Sequence, residues 1–92
     1  MVPIHPGRIL RRELEARSLS ANALSRMLRV PSGRIVDILN GKRSISADTA
    51  LRLGRYFGND PLFWLNLQAQ YDLAAAMRDV GDRIAREVEK AA

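Results

Sequence analysis

The sequence predicts an all-α protein of five helices, built around a helix-turn-helix and extended by a C-terminal helical segment. Three observations carry this. No segment sustains the period-two alternation and β-branched enrichment of a strand. Apolar residues recur at helical spacing along the chain. The stretch from Ala21 to Asn40, ANALSRMLRVPSGRIVDILN, places Leu24, Leu28, Val30, Ile35 and Ile38 where two short, steeply crossing helices need shared apolar contacts.

Each element has its own signals. Pro6 opens a first helix over about residues 6–17, with Ile9, Leu10 and Leu14 facing inward. His5, just before it, reads as a capping or packing residue. Ser18 and Ser20 mark a break, and the Ser20 hydroxyl is placed to accept from the first turn of a second helix, about residues 21–28. Pro31 and Ser32 open a third helix, about residues 32–39, because the first helical turn has no use for the missing proline N–H. Ile35, Ile38 and Leu39 pack inward from it. Asn40-Gly41 ends it, since both residues tolerate the left-handed conformation of a helix C-terminus. Ile45 is expected as a buried anchor in the following loop. Ser46 caps a fourth helix, about residues 47–57, with Ala50, Leu51, Leu53, Gly54 and Phe57 as packing positions. Gly58 stops it, and Asp60-Pro61 restart the chain as a cap and a first-turn proline. The fifth helix either breaks near Gly81 or continues to about Val88, with Met77, Val80, Ile84 and Val88 on one apolar face. The expected division is a single domain, with residues 5–58 as the helix-turn-helix core and residues 60–90 as a helical dimerisation segment.

Composition narrows the function classes. The 92 residues suffice for one small core, and 47% apolar with 27% charged residues is ordinary for a folded globular chain. There is no cysteine, which excludes disulfide and thiolate chemistry, and the single His5 excludes a histidine metal cluster. No glycine-rich phosphate loop or nucleophile-base pattern is found, so no catalytic residue, metal or cofactor is expected. No apolar run approaches the ~20 residues needed to span a bilayer. The start, MVPIHPGRIL, lacks a basic leader followed by a long apolar stretch, so the expected compartment is the cytoplasm. The net charge of +5 is unevenly placed: residues 1–45 carry nine basic and three acidic side chains, residues 46–92 six basic and seven acidic. The positive field therefore lies with the helix-turn-helix, as phosphate binding requires.

These features point to double-stranded DNA, with the third helix entering the major groove. Arg34 is the candidate reader, since a guanidinium fork fits the two acceptors of guanine; a phosphate contact is the alternative. Ser32 and Gly33 stand at a helix N-terminus, where backbone N–H groups favour a phosphate oxygen, and Ser32 also suits a plain N-cap. Asp37, on the face of Arg34, either accepts from cytosine or, the preferred reading, orients Arg34. Lys42 and Arg43 follow as phosphate clamps, and Asn22 at the start of the second helix is a further phosphate candidate. Phe63, Trp64, Leu67 and Tyr71 form a dense apolar group on the fifth helix. A core role is the plain reading of such a group, but the first four helices already supply a core. Some of it is therefore expected to be shared in a dimer that spaces two recognition helices about one DNA turn apart.

The chain resembles the Xre/Cro-like helix-turn-helix repressors of lambda-repressor-like fold, and within them the HigA-type antitoxins. The residues that carry this are His5-Pro6-Gly7, Asn40-Gly41-Lys42-Arg43, the run Ser46-Ala47-Asp48-Thr49-Ala50-Leu51-Arg52-Leu53, and Phe63-Trp64-Leu65-Asn66-Leu67-Gln68 with Tyr71-Asp72-Leu73. The resemblance implies a homodimer that binds the palindromic operator of its own operon. It also implies a HigB-like partner toxin, an mRNA-cleaving endoribonuclease that the antitoxin holds inactive. The exposed face of the first helix and the tail beyond Asp72 are the candidate surfaces for that toxin. A stand-alone regulator and a purely protein-binding inhibitor are the alternatives. Two positions depart from the family pattern. Arg29 stands where such turns often carry glycine, so it bears strain or the turn differs. Arg8 replaces an acidic residue and makes the first helix more basic.

Overall fold

Five helices follow one another in the computed structural model, which describes residues 3–92: α1 (Pro6–Ala16), α2 (Ala21–Leu28), α3 (Ser32–Leu39), α4 (Ala47–Phe57) and α5 (Pro61–Glu87). Met1 and Val2, the first residues of the segment read as lacking a leader, lie outside the described residues.

The starts follow the expected capping chemistry at four helices. The side chains of His5, Ser20, Ser46 and Asp60 accept from the backbone N–H of Gly7, Ala23, Thr49 and Leu62. At α3 the expectation shifts by one residue. Pro31 is the N-cap and Ser32 the first helical residue, and no side chain caps this helix. The ends obey a common rule. Ser18, Arg29, Gly41 and Gly58 all have positive φ, and one follows each of the first four helices. Arg29, at φ 61° and ψ 44°, is a left-handed terminator, so the strain expected there is present. After α3 the left-handed residue is Gly41 alone, because Asn40 keeps φ −88°. Gly81 does not break α5: the helix of 27 residues runs through it, and a glycine inside a helix merely weakens it.

Leu10 and Leu14 of α1, Leu24 and Leu28 of α2, Ile35 and Ile38 of α3, Ile45 of the loop, and Ala50 and Leu53 of α4 form one buried cluster. Ile9, Val30, Leu39 and Phe57 pack around it half-buried. Leu51, expected to pack, is instead exposed, one turn position away from the buried stripe. The core also crosses the boundary expected near residues 58–60. Trp64 of α5 is 0% exposed, its indole N–H donates to Asn59 Oδ1 at 3.1 Å, and its ring lies against Phe57 and Phe63. The first half of α5 therefore completes the domain. The second half projects from it, which stretches the molecule to 51 × 22 × 22 Å.

Two features of the His5-Pro6-Gly7 start set the position of α3. A Cβ built on Gly7 would stand 1.9 Å from the carbonyl oxygen of Ile38, so α1 and α3 touch backbone to backbone. His5 Nδ1 accepts from Gly7 N at 3.0 Å while the ring meets Tyr71 edge-on at 4.9 Å. Burial pushes the imidazole below its ordinary value of 6.5, against the opposing Asp72 charge and a hydrogen bond with the Arg43 backbone.

Gly7→Ala is expected to destabilise the fold by about 3 kcal/mol, since backbone cannot yield as a side chain would. Chemical denaturation checks this, and a parental midpoint would mean that the two helices separate freely. The depressed His5 pKa gives a second expectation. The native ring stays neutral where the unfolded ring protonates, so its contribution is full above pH 6.5 and is lost as pH falls from there toward the folded value. Stability should therefore decline as pH falls below the ordinary imidazole value of 6.5, and His5→Gln should flatten that part of the profile.

Candidate nucleic-acid interface

The outward face of α3 is set by its buried one. Ile35 and Ile38 are fully buried, so at about 100° per residue Gly33, Val36, Asp37 and Asn40 fall on the opposite side. Ser32 and Gly33 are exposed at the open end of the helix. Nothing acidic stands in this first turn, which leaves the positive end of the helix dipole unopposed.

Arg34 lies on the flank of the helix rather than its crest. Its guanidinium is 3.5 Å from Asp48 at the start of α4, and its side chain is 30% exposed. Asp48 in turn binds Arg52 at 2.8 Å, and Arg52 donates to the carbonyl of Leu28 at 2.8 Å. The chain Arg34–Asp48–Arg52 thus ties the recognition helix and the end of α2 to α4. Hydrogen bonding from Arg52, with the Arg52 and Arg34 charges, holds the Asp48 carboxyl below its ordinary range. Beside this network runs an open cleft of about 300 Å³ in which Arg29, Arg34, Arg43 and Arg52 converge around Asp48. The carboxylate that orients Arg34 is therefore Asp48, and the role expected of Asp37 is corrected. Asp37 faces Arg43 at 4.0 Å instead, because the turn at Gly41 folds the loop back along α3. The N–H of Lys42 closes that turn on the carbonyl of Asp37 at 2.8 Å.

Lys42, Arg43 and Asn22 are all exposed. Lys42 and Arg43 belong with α3 through the turn, and Asn22 stands at the start of α2, where its carbonyl accepts from Ser25 Oγ. Besides Asp48 and Arg52, two more residues outside the expected set, Arg11 and Gln68, hold this surface in place. Arg11 of α1 donates to the carbonyl of Leu39 at 3.4 Å, placing a cation at the C-terminal end of α3. Buried Gln68 of α5 accepts from the N–H of Ile45 at 2.8 Å and donates to Asp72 at 3.0 Å, so it clamps the loop that carries Lys42 and Arg43. Asp48 was visible in the sequence only within the run Ser46–Leu53 that carries the family resemblance. Gln68 and Asp72 lay within the quoted phrases FWLNLQ and YDL, but their pairing with a loop 23 residues away has no local signal.

The four residues expected at a subunit interface separate. Phe63 is exposed, Leu67 and Tyr71 are half-buried, and Trp64 is sealed inside the core. Trp64 is thus unavailable to a partner, a correction that follows from its role in closing the domain. Leu67 and Tyr71 line a small apolar cavity of about 170 Å³ with Ile4, Ile9 and Ala74. Farther along α5, Leu73, Met77 and Ile84 are exposed, as is Val88 just after it. Among the described residues there is no acidic or histidine cluster fit for a metal, and no helix is long and apolar enough to cross a membrane.

Comparison with known proteins agrees with this geometry. Residues 10–64 match the helix-turn-helix family model HTH_3. The structure of an addiction module antidote protein of the HigA family from Coxiella burnetii superposes with a TM-score of 0.96 at 51% identity, covering 99% of this chain and 100% of that one. The antitoxin HigA of Pseudomonas aeruginosa, solved with the higBA promoter, gives 0.94 at 47% identity over 98% and 99% of the two chains. Virulence-associated protein I of Dichelobacter nodosus is 54% identical over 80 residues, 86% of this chain and 74% of that protein. With a helix-turn-helix family match over most of its core and near-complete superposition on HigA antitoxins at about half identity, the chain belongs to the HigA family of helix-turn-helix proteins.

Proposed function

We propose that the protein is a sequence-specific DNA-binding repressor and the antitoxin of a HigBA-type toxin–antitoxin module, acting in the cytoplasm. The observation that carries this is the outward face of α3 with four arginines converging beside it. The HigA of P. aeruginosa, solved with its higBA promoter, supports it. It is a binding protein rather than an enzyme. On this reading α3 enters the major groove of its own operator. Ser32 and Gly33 offer backbone N–H groups, and Asp37 restrains Arg43 at the groove edge. Lys42, Arg43 and Asn22 meet phosphates. Arg34, tied to Asp48 on the flank of α3, is also a backbone clamp rather than a base reader. A cognate toxin of the mRNA-cleaving kind is the second partner, held by the exposed face of α1 or by the tail beyond Asp72.

The protein acts as a two-fold dimer, because one short helix cannot select a palindromic operator and two must be held at a fixed spacing. Leu67, Tyr71 and Phe63, continued by Leu73 and Met77, offer the apolar surface for this pairing. This divides the single domain into a DNA-binding core that borrows Trp64 and a pairing segment that follows it.

Binding to the DNA upstream of its own gene tests the reading. Arg34→Ala and Lys42→Ala should weaken operator and unrelated DNA in parallel, each lowering the slope of log affinity against log salt by about one unit per monomer. Loss of discrimination at one base pair with affinity for unrelated DNA retained would place Arg34 on a base. Sedimentation at micromolar protein should show a dimer of the 10.3 kDa chain, and Met77→Asp should shift it toward monomer without lowering the fold's stability. A monomer in the parent would overturn the dimer.

A further inference from the structure

Gly33 stands apart from the glycines that bear on the helix-turn-helix. Gly7 and Gly54 are pressed against backbone, where a Cβ would come within 1.9 and 2.7 Å of a carbonyl oxygen. Gly41 and Gly58 have φ of +74°. Gly33 has neither reason: its backbone is ordinary helix, and a Cβ there would meet nothing within 4 Å. A glycine weakens a helix, and α3 has only eight residues. Nothing inside the protein asks for the missing side chain.

Val36 is its neighbour one turn on, and it is the other anomaly of this face. It is 39% exposed on a helix whose remaining apolar residues are buried or half-buried. Gly33 and Val36 together make a bare, apolar step on the crest of α3. The step is bordered by Arg34 on the flank and by Lys42 and Arg43 in the loop, so a polyanion that seats on these cations brings its interior against the step. In duplex DNA the apolar feature of the major groove is the 5-methyl group of thymine.

We infer that Gly33 and Val36 form a thymine-methyl reader, in which Val36 supplies the apolar contact and Gly33 leaves the clearance that lets the helix come that close. This rests on the DNA-binding reading above and assigns the base it selects. Selectivity at this point comes from shape and apolar contact, while the arginines supply affinity from the flank.

The experiment uses the full chain and the DNA fragment it protects upstream of its own gene, with thymines replaced singly by uracil. Uracil keeps the pairing and removes only the methyl group. At one thymine or more in each half-site, uracil should weaken binding about fourfold, the size expected for one methyl returned to water. Val36→Ala should bind more weakly and lose that thymine–uracil difference at the same position. Gly33→Ala should raise the melting midpoint by roughly 3 °C while weakening the operator roughly tenfold, opposite directions that a structural role cannot give. Uracil neutral at every position, or a difference that Val36→Ala leaves intact, overturns the inference and leaves the DNA-binding reading standing. Parental operator affinity in Gly33→Ala overturns the part assigned to Gly33. If the parent protects no DNA, both readings fall together.

Discussion

The position of the recognition helix depends on a contact between two backbones. At Gly7 the first turn of α1 lies against the carbonyl of Ile38 with no room for even a methyl group. Side-chain packing alone lets helices slide by fractions of an ångström, because rotamers adjust. Backbone against backbone does not. Ile35 and Ile38 then only have to fill the space that this contact defines. The His5 cap holds the turn that presents Gly7, and its neutral ring also reaches the backbone of Arg43 in the loop beyond α3. The three residues His5-Pro6-Gly7 thus fix the C-terminal end of α3 and the loop that follows it from a distance of some thirty residues in sequence.

The other constraints act on the same surface from different sides. Arg11 holds the C-terminal end of α3, Asp48 and Arg52 hold its flank, and Gln68 holds the following loop. The exposed ion pairs among these contribute little to stability. Their effect is orientation: a guanidinium tethered to Asp48 offers fewer geometries to a phosphate than one left to sample solvent. Gln68 differs, because it is buried and satisfied on both sides of its amide. Losing it would leave a buried N–H of the loop without a partner, which is the more expensive kind of loss.

The limits of α2, α3 and α4 were legible because their signals are local: a serine before α2 and before α4, a proline before α3, a glycine at the ends of α3 and α4. The left-handed ends at Ser18 and Arg29 were less so, since neither residue favours that conformation and tertiary packing imposes it. Gly81 was ambiguous for the converse reason. Glycine permits a break without requiring one, and the helix runs straight through it. At the site, exposure of Ser32 and Gly33 followed from periodicity and that of Lys42 and Arg43 from their place in the loop, while the partner of Arg34 did not follow. Asp37 shares a helix with Arg34 and Asp48 does not, and sequence spacing reports only the first kind of neighbour. Trp64 shows the same limit from the other side. Its spacing marked it as buried, but whether within one chain or between two depends on how α5 lies over Phe57 and Asn59.

By the measures that make a helix stable on its own, α3 is a poor one. It has eight residues, no side-chain N-cap, no acidic residue in its first turn and an unneeded glycine. Each of these weakens it, and the last three leave its outward face more open to an anion: no capping oxygen occupies the first N–H groups, no carboxylate repels a phosphate, and no Cβ holds a base edge away. α1 and α2 also lack a first-turn acid, and α2 is equally short, but α1, α2 and α4 all carry the side-chain cap that α3 lacks. The missing cap and the unneeded glycine are what set α3 apart from its neighbours, and local rules broken together are the mark of a surface shaped for a partner. The stability that α3 lacks locally is supplied by its contact with Gly7 and by the burial of Ile35 and Ile38, while Arg11 and the Asp48 network orient it, so that its exposed face is left to answer to the nucleic acid.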